Sequence, residues 1–296
     1  MAASVEQQYG QFTAQGLRRR RIVNVIMIGV FSLCALIIII PLLHILVYSL
    51  IRGATSLNIN FFTKPPAPPG VAGGGVGTAI VGSLIILGMA AIIGIPTGIA
   101  AGVYMAEYGN RQNRFATAAR FIADILLGVP SIVIGVFIWT LLVRPFHSFS
   151  AFAGGVALGV MMIPTVSRTT EEVVRVVPMS IREASLALGV PYWRTVIHVV
   201  LPAARAGIGT AIVLAVARVA GETAPLLFTT LGNNFFQKDL RRPMDALPLR
   251  LFNYAIGPYE EWHRLAWAAA FILMMAILLL TITIRLIARG RFKNAV

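Results

Sequence analysis

Two opposite charges lie inside an apolar stretch of this chain. Arg218 and Glu222 interrupt segment 206–232, and Arg218 lies 12 residues into it, about 18 Å along a helix axis. A spacing of four predicts that both side chains lie on one helix face and partly neutralise each other. They could form an anion path, in which the planar guanidinium attracts an oxyanion and Glu222 holds or releases it. The alternative is a structural pair that joins two helices.

Arg168 directly follows a second apolar segment, 149–167. It is either a basic anchor at the mouth of a membrane helix or part of the same ion path. Asp124 comes four residues after Arg120 and is expected to cap or pair locally. The four histidines are scattered without ligand spacing, so the sequence predicts no metal site and no catalytic residues.

The polar stretch 178–202 has the composition of a short helix that ends in a turn. Ser180 and Glu183 have the spacing of a capping box. Gly189 followed by Pro191 predicts that the helix stops there. An exposed helix with small side chains is suited to enter a groove on a partner, although an ordinary capped loop would share these features.

The same stretch carries a spaced motif. It consists of the triplet Glu183, Ala184 and Ser185, then Gly189, and finally Leu201 and Pro202. This pattern resembles the cytoplasmic EAA loop of ABC importer permeases, with Ser185 replacing an alanine and Val199 an isoleucine. The resemblance implies that the loop receives motion from a separate ATPase.

The elements that position these residues are membrane helices. The chain is 57% hydrophobic and 12% charged, with a mean hydropathy of +0.81, whereas a soluble domain carries about a quarter charged residues. A span needs roughly 20 apolar residues, and six segments are long enough to predict an all-α integral membrane protein: 22–51, 77–106, 121–143, 149–167, 206–232 and 265–284.

The net charge of +14 follows the predicted topology and does not indicate nucleic-acid binding. If the N-terminus is cytoplasmic, 16 Lys and Arg residues lie inside and eight outside. This bias places both termini and the motif loop, 178–205, in the cytoplasm.

The predicted organisation has five parts. A basic cytoplasmic tail, 1–21, precedes the first membrane helix, 22–51, and an extracytoplasmic linker rich in Pro and Gly, 52–76. A five-helix core, 77–288, and a cytoplasmic tail, 289–296, complete the chain. The outer loop 233–263 is rich in aromatic residues, which suits the lipid headgroup level or a docking face; they are Phe235, Phe236, Phe252, Tyr254, Tyr259 and Trp262.

Four stretches sharpen the resemblance: MAEYG (105–109), LGVPSIVIG (127–135), RTTEEVVRVVP (168–178) and ARVAGETAPLLFT (217–229). They resemble the PstA family, one of two permease families of the high-affinity phosphate ABC importer. The resemblance covers nearly the whole chain, and it implies a type I importer permease fold in a bacterial inner membrane. It maps the family's intramembrane arginines onto Arg168 and Arg218, and these two residues, together with the Glu222 of the charged pair, are expected to lie on the substrate path for inorganic phosphate.

The resemblance also implies partners: a homologous permease (PstC), an ATPase dimer (PstB) and a phosphate-binding protein (PstS). No Gly-x-x-x-x-Gly-Lys-Ser/Thr motif is present in the sequence, so ATP is expected to bind the partner ATPase and no cofactor is expected here. Three alternatives stay open: a PstC-type subunit, a permease for sulfate or molybdate, and an ion-coupled carrier. A membrane-embedded enzyme is disfavoured, since no Ser-His or metal constellation is present.

Overall fold

The computed structural model describes residues 14–71, 73–109 and 113–290. The described part forms 11 helices, which we number in chain order. They are α1 (Ala14–Gly53), α2 (Ile59–Thr63), α3 (Gly77–Glu107), α4 (Arg114–Gly128), α5 (Ser131–Phe146), α6 (Ala151–Val176), α7 (Met179–Ala187), α8 (Tyr192–Ala220), α9 (Ala224–Thr229), α10 (Leu247–Ile256) and α11 (Glu260–Gly290). The chain divides into two compact units, and the boundary between them in the sequence lies between Ile51 and Arg52.

Five of these helices are long and apolar enough to cross a membrane, namely α1, α3, α6, α8 and α11. The pair α4 and α5 would form a sixth span, but its two halves are bent by 106°. The predicted span 121–143 is therefore not one continuous helix. Val129 has extended backbone angles, φ −71° and ψ 129°, because the Pro130 ring that follows it disfavours the helical conformation.

The other predicted boundaries shift in informative ways. Helix α1 begins at Ala14, so Arg19–Arg21 lie within the helix instead of in a preceding tail. Helix α6 continues nine residues past the predicted end at 167 and carries Arg168 inside it. The residues 1–13 and 291–296 of the two predicted tails lie outside the described part of the chain.

The segment 206–232 is not one helix either. Helix α8 ends at Ala220, Gly221 follows at its C-terminus, and the chain turns helical again only at Ala224. Pro225 lies in the first turn of α9, where its missing N–H leaves no helical hydrogen bond unmade.

The core of the second unit is the contact between α3 and α6. Gly94, Gly98 and Gly102 line one face of α3, and a Cβ atom on Gly98 would lie 2.7 Å from the Cβ of Val166. In a membrane the hydrophobic effect does not drive helices together, so helix association depends on van der Waals packing. Close backbone approach at small residues improves that packing. The buried side chains of α6 that meet this face include Met162, Val166 and Thr170. The glycine-rich α6 is the most buried of the candidate spans, with 67% of its apolar window inside the fold.

A second cluster closes the end of the bundle opposite α7. Residues of the predicted linker pack into it: Phe61 and Val76 are buried against Leu247, Tyr254 and Leu265. The Tyr254 hydroxyl donates a hydrogen bond to the Gly75 carbonyl over 3.2 Å. The segment 59–76 is thus part of the packed unit, although residues 64–75 form no helix.

Candidate translocation and coupling sites

Helix α7 carries the motif triplet and ends in the turn that the sequence predicts. Gly189 has a φ of +76°, a left-handed conformation that glycine adopts without steric cost. Its N–H donates to the Leu186 carbonyl over 2.9 Å, and Pro191 then precedes the first residue of α8. The predicted cap is wrong, however: Pro178 occupies the N-cap position without a side-chain hydrogen bond, and Ser180 is exposed.

The motif residues divide into an outward and an inward set. Glu183, Ala184 and Gly189 are exposed, as is Leu188 beside them. Ser185 points inward, and its hydroxyl lies 2.9 Å from that of Thr195 in α8. One face of α7 is therefore free for a partner, while the other is attached to the bundle.

Leu201 and Pro202 lie within the continuous helix α8, one π-helical turn (Val196–Val200) beyond its start. Proline cannot donate the usual helical hydrogen bond, and a π turn is a common local adjustment in a helix. Leu201 is half-buried and Pro202 is exposed. The two residues thus mark a local irregularity at the root of the loop.

Arg182 attaches α7 to two membrane helices. Its Nη2 and Nε atoms lie 2.6 Å and 3.2 Å from the two carboxylate oxygens of Glu107, the last residue of α3. Arg182 also donates to the carbonyls of Val174, in α6, and Val177, just beyond it. The Tyr192 hydroxyl donates to Glu107 Oε2 over 2.6 Å. Both charged side chains are buried, with exposed fractions of 8% and 2%, and the hydrogen bonds to Glu107 raise the pKa of Arg182.

Local sequence patterns do not predict this cluster. Arg182 is one of many basic residues that flank the apolar segments, and Glu107 stands out only as part of the MAEYG stretch. The available signal was the MAEYG stretch, which ends a long apolar segment with an acid. An acidic side chain at the end of a membrane helix needs a basic or hydrogen-bonding partner if another part of the chain buries that helix end.

Arg168 belongs to a second ionic cluster, centred on the buried carboxylate of Glu171. Arg168 Nη1 lies 2.8 Å from Glu171 Oε2, and Arg120 Nε and Arg175 Nη2 lie 2.5 Å and 2.6 Å from Oε1. Asp124 Oδ1 lies 2.9 Å from Arg168 Nε, so Asp124 bridges α4 to α6 instead of pairing locally with Arg120. The cluster contains three arginines and two carboxylates and keeps a net positive charge.

Arg218 and Glu222 do not form the predicted pair. Arg218 lies in the last turn of α8, whereas Glu222 follows the end of that helix and lies on no helix face. No ion pair or side-chain hydrogen bond joins either residue to another described residue. The guanidinium of Arg218 is exposed and Glu222 is half-buried. Arg218 thus has no neutralising acid within the described part of the chain.

Arg168 and Arg218, the two arginines predicted to lie on the substrate path, are at different depths in the bundle. Arg168 is eight residues before the end of α6, near the α7 loop, whereas Arg218 is near the far end of α8. Consecutive spans joined by the α7 loop run in opposite directions, so Arg218 lies farther from that loop than Arg168 does.

The aromatic outer loop also differs from its prediction. Phe235 and Phe236 are exposed, but Tyr254 is 1% exposed and belongs to the core. Arg250 is buried as well, with its Nε 2.7 Å from Asp245 Oδ2 and its Nη2 2.7 Å from Asn234 Oδ1. Burial raises the pKa of Asp245, and Arg250 opposes that rise. Phe252 and Tyr259 are exposed too, so the predicted headgroup or docking role remains open for the exposed aromatic residues but not for Tyr254.

Solved structures of known fold resemble this arrangement. A subunit of the inward-facing MetNI methionine ABC transporter matches with a TM-score of 0.57 and 20% identity, over 73% of this chain and 93% of that one. A bacterial ABC transporter that imports alginate matches with a TM-score of 0.53 over 93% and 98%. The family model of binding-protein-dependent transport system inner membrane components matches residues 98–293. The chain is thus a multi-pass permease subunit with the type I ABC importer fold.

Comparison with related sequences shows to which group of permeases the chain belongs. The chain is 46% identical over 246 residues to the phosphate transport system permease protein PstA of Yersinia pestis, covering 83% of each protein. It is 42% identical over 281 residues to the protein of the same name from Xylella fastidiosa, covering 94% and 96%. A probable PstA of Methanocaldococcus jannaschii is 33% identical over 278 residues. Within the permease family, the chain belongs to the PstA group.

Proposed function

We propose that this chain forms half of the membrane pathway of an ATP-driven importer of inorganic phosphate. The observation that carries the proposal is its 46% identity, over 83% of both chains, to a permease of a phosphate transport system. The chemistry agrees, because the unpaired guanidinium of Arg218 and the net positive cluster around Arg168 suit a multivalent oxyanion.

The similarity to permeases of phosphate transport systems also suggests which proteins bind this chain. A homologous permease (PstC) would complete the pathway, an ATPase dimer (PstB) would bind the exposed face of α7, and a binding protein (PstS) would deliver phosphate from outside. ATP hydrolysis is assigned to the ATPase, since this sequence contains no phosphate-binding loop motif. The complex would lie in the bacterial inner membrane, in contact with lipid, with both termini of this chain in the cytoplasm.

Reconstitution tests the proposal. The chain is assembled with its partner permease and ATPase in liposomes, and radiolabelled phosphate, sulfate and molybdate are offered with the binding protein and ATP. We expect ATP-dependent uptake of phosphate alone. Uptake of sulfate or molybdate in preference to phosphate would overturn the substrate assignment, and uptake by this chain without the ATPase would identify an ion-coupled carrier.

A further inference from the structure

Few side chains attach α7 to the rest of the bundle. Of its nine residues, only Arg182 and Ser185 are buried. Ser185 reaches Thr195 of α8, whereas Arg182 reaches Glu107 of α3 and the carbonyls at the end of α6. Any force applied to the exposed face of α7 must pass to the spans through these contacts or through the short backbone connections at either end.

The contact between Arg182 and Glu107 has a geometry that restricts movement. A guanidinium that meets a carboxylate with two parallel hydrogen bonds fixes distance and angle together. The Tyr192 hydroxyl holds the same carboxylate from the α8 side over 2.6 Å, and Tyr108 packs edge-on against the Tyr192 ring. With exposed fractions of 8% and 2%, the Arg182–Glu107 pair is shielded from water and little weakened by salt.

We propose that Glu107 and Arg182 are positioning residues that make α7 move as one body with the ends of α3 and α6, so that motion received at α7 reaches the pathway. This inference rests on the proposed function. Glu183 and Leu188 supply the contact with the ATPase, while Arg182 and Glu107 pass the displacement on. Without the pair, α7 would still bind the ATPase but would move without carrying α3.

Two substitutions test this role in the complete complex. Glu107→Gln keeps the side-chain size and removes the charge, and Tyr192→Phe keeps both charges and removes one hydroxyl. Arg194→Gln serves as the control, because Arg194 is exposed in the same loop and stacks on Trp193. Complex yield, ATP hydrolysis and phosphate uptake are measured in the same liposomes, together with hydrogen exchange of residues 179–188.

We expect Glu107→Gln to assemble and hydrolyse ATP, with uptake per ATP lower by about tenfold and faster exchange in α7. Tyr192→Phe should lower uptake per ATP by about twofold, and Arg194→Gln should leave it unchanged. An unchanged ratio of uptake to hydrolysis in both variants would overturn the proposal, as would loss of complex assembly in both, which would make the pair merely structural. If the wild-type complex moves no phosphate, the proposed function fails, and the hydrogen exchange of Glu107→Gln alone then decides the role of the pair.

Discussion

Three arginines illustrate how surroundings set the role of one residue type. Arg182 is buried and neutralised by a carboxylate with two-point geometry, Arg168 is shared between Glu171 and Asp124, and Arg218 is exposed without an acid beside it among the described residues. Arg218 lies in the last turn of α8 and has no acid beside it that could stabilise its charge within the monomer. An arginine kept in this state favours a role with an anion.

The absence of an Arg218–Glu222 contact gives a sharp prediction. Because the two charges do not stabilise each other, Arg218→Gln should reduce phosphate uptake to background while complex yield stays at the wild-type level. The double variant Arg218→Gln with Glu222→Gln should behave like the single one. Radiolabelled uptake and complex yield are measured for all three variants, with Arg241→Gln on the exposed outer loop as the control.

If the double variant recovered uptake, Arg218 and Glu222 would be a structural pair after all, and the anion-path assignment would fail. Recovery would then require that assembly with the partner permease brings the two side chains into contact.

The breaks between helices separate what the sequence could predict from what it could not. Apolar length located the five long apolar helices, since the cost of exposing polar backbone to lipid is independent of neighbouring residues. Hydropathy does not show whether the backbone is one continuous helix. The bend at Pro130 and the end of α8 before Gly221 both lie within continuous apolar sequence, so hydropathy does not predict them. Pairs such as Arg182 with Glu107 join residues 75 positions apart, and no local spacing announces them. The turn at Gly189 was predictable because a glycine followed two residues later by a proline is a local signal.

Gly189 provides the prediction at the scale of an element. Valine at a φ of +76° is strained, at a cost of about 1–2 kcal/mol, so Gly189→Val should distort the turn that joins α7 to α8. We expect phosphate uptake to be lost while the chain still inserts, as measured by uptake and by membrane yield. Gly189→Asn, which tolerates left-handed angles, should keep most of the uptake.

Gly209→Ala in α8 is the matched control, since a Cβ atom there meets nothing within 4 Å. Normal uptake and normal stimulation of the ATPase by Gly189→Val would show that the turn has no part in coupling.

At the scale of the whole molecule, the basic residues near the helix ends predict the direction of insertion. Several of the 16 residues assigned to the cytoplasm, Arg120, Arg168, Arg175 and Arg182, also hold carboxylates in the fold. These arginines therefore have a structural role in addition to the one predicted for orientation. The same end of the bundle carries the exposed face of α7, where we propose that the ATPase binds.

Cysteine labelling tests this orientation. In a Cys34→Ser background, single cysteines replace Trp193 and Phe236, which are 52% and 54% exposed. An impermeant thiol reagent added to intact cells should label position 236 only, and position 193 should react after the membrane is opened. Labelling of both positions from outside would contradict the cytoplasmic placement of α7.

Both ends of α3 make contacts with residues that are synthesised much later. Near the start of α3, the Ser83 hydroxyl accepts a hydrogen bond from the Leu247 N–H, 164 residues later in the chain. At the end of α3, Glu107 binds Arg182, which is 75 residues later. At ribosomal rates of about 5–20 residues per second, the contact between Ser83 and Leu247 forms on the order of ten seconds after α3 has entered the membrane. A nascent chain halted before Arg182 therefore presents an unpaired acid at the end of α3, which gives cellular quality control a feature that distinguishes unfinished copies from finished ones.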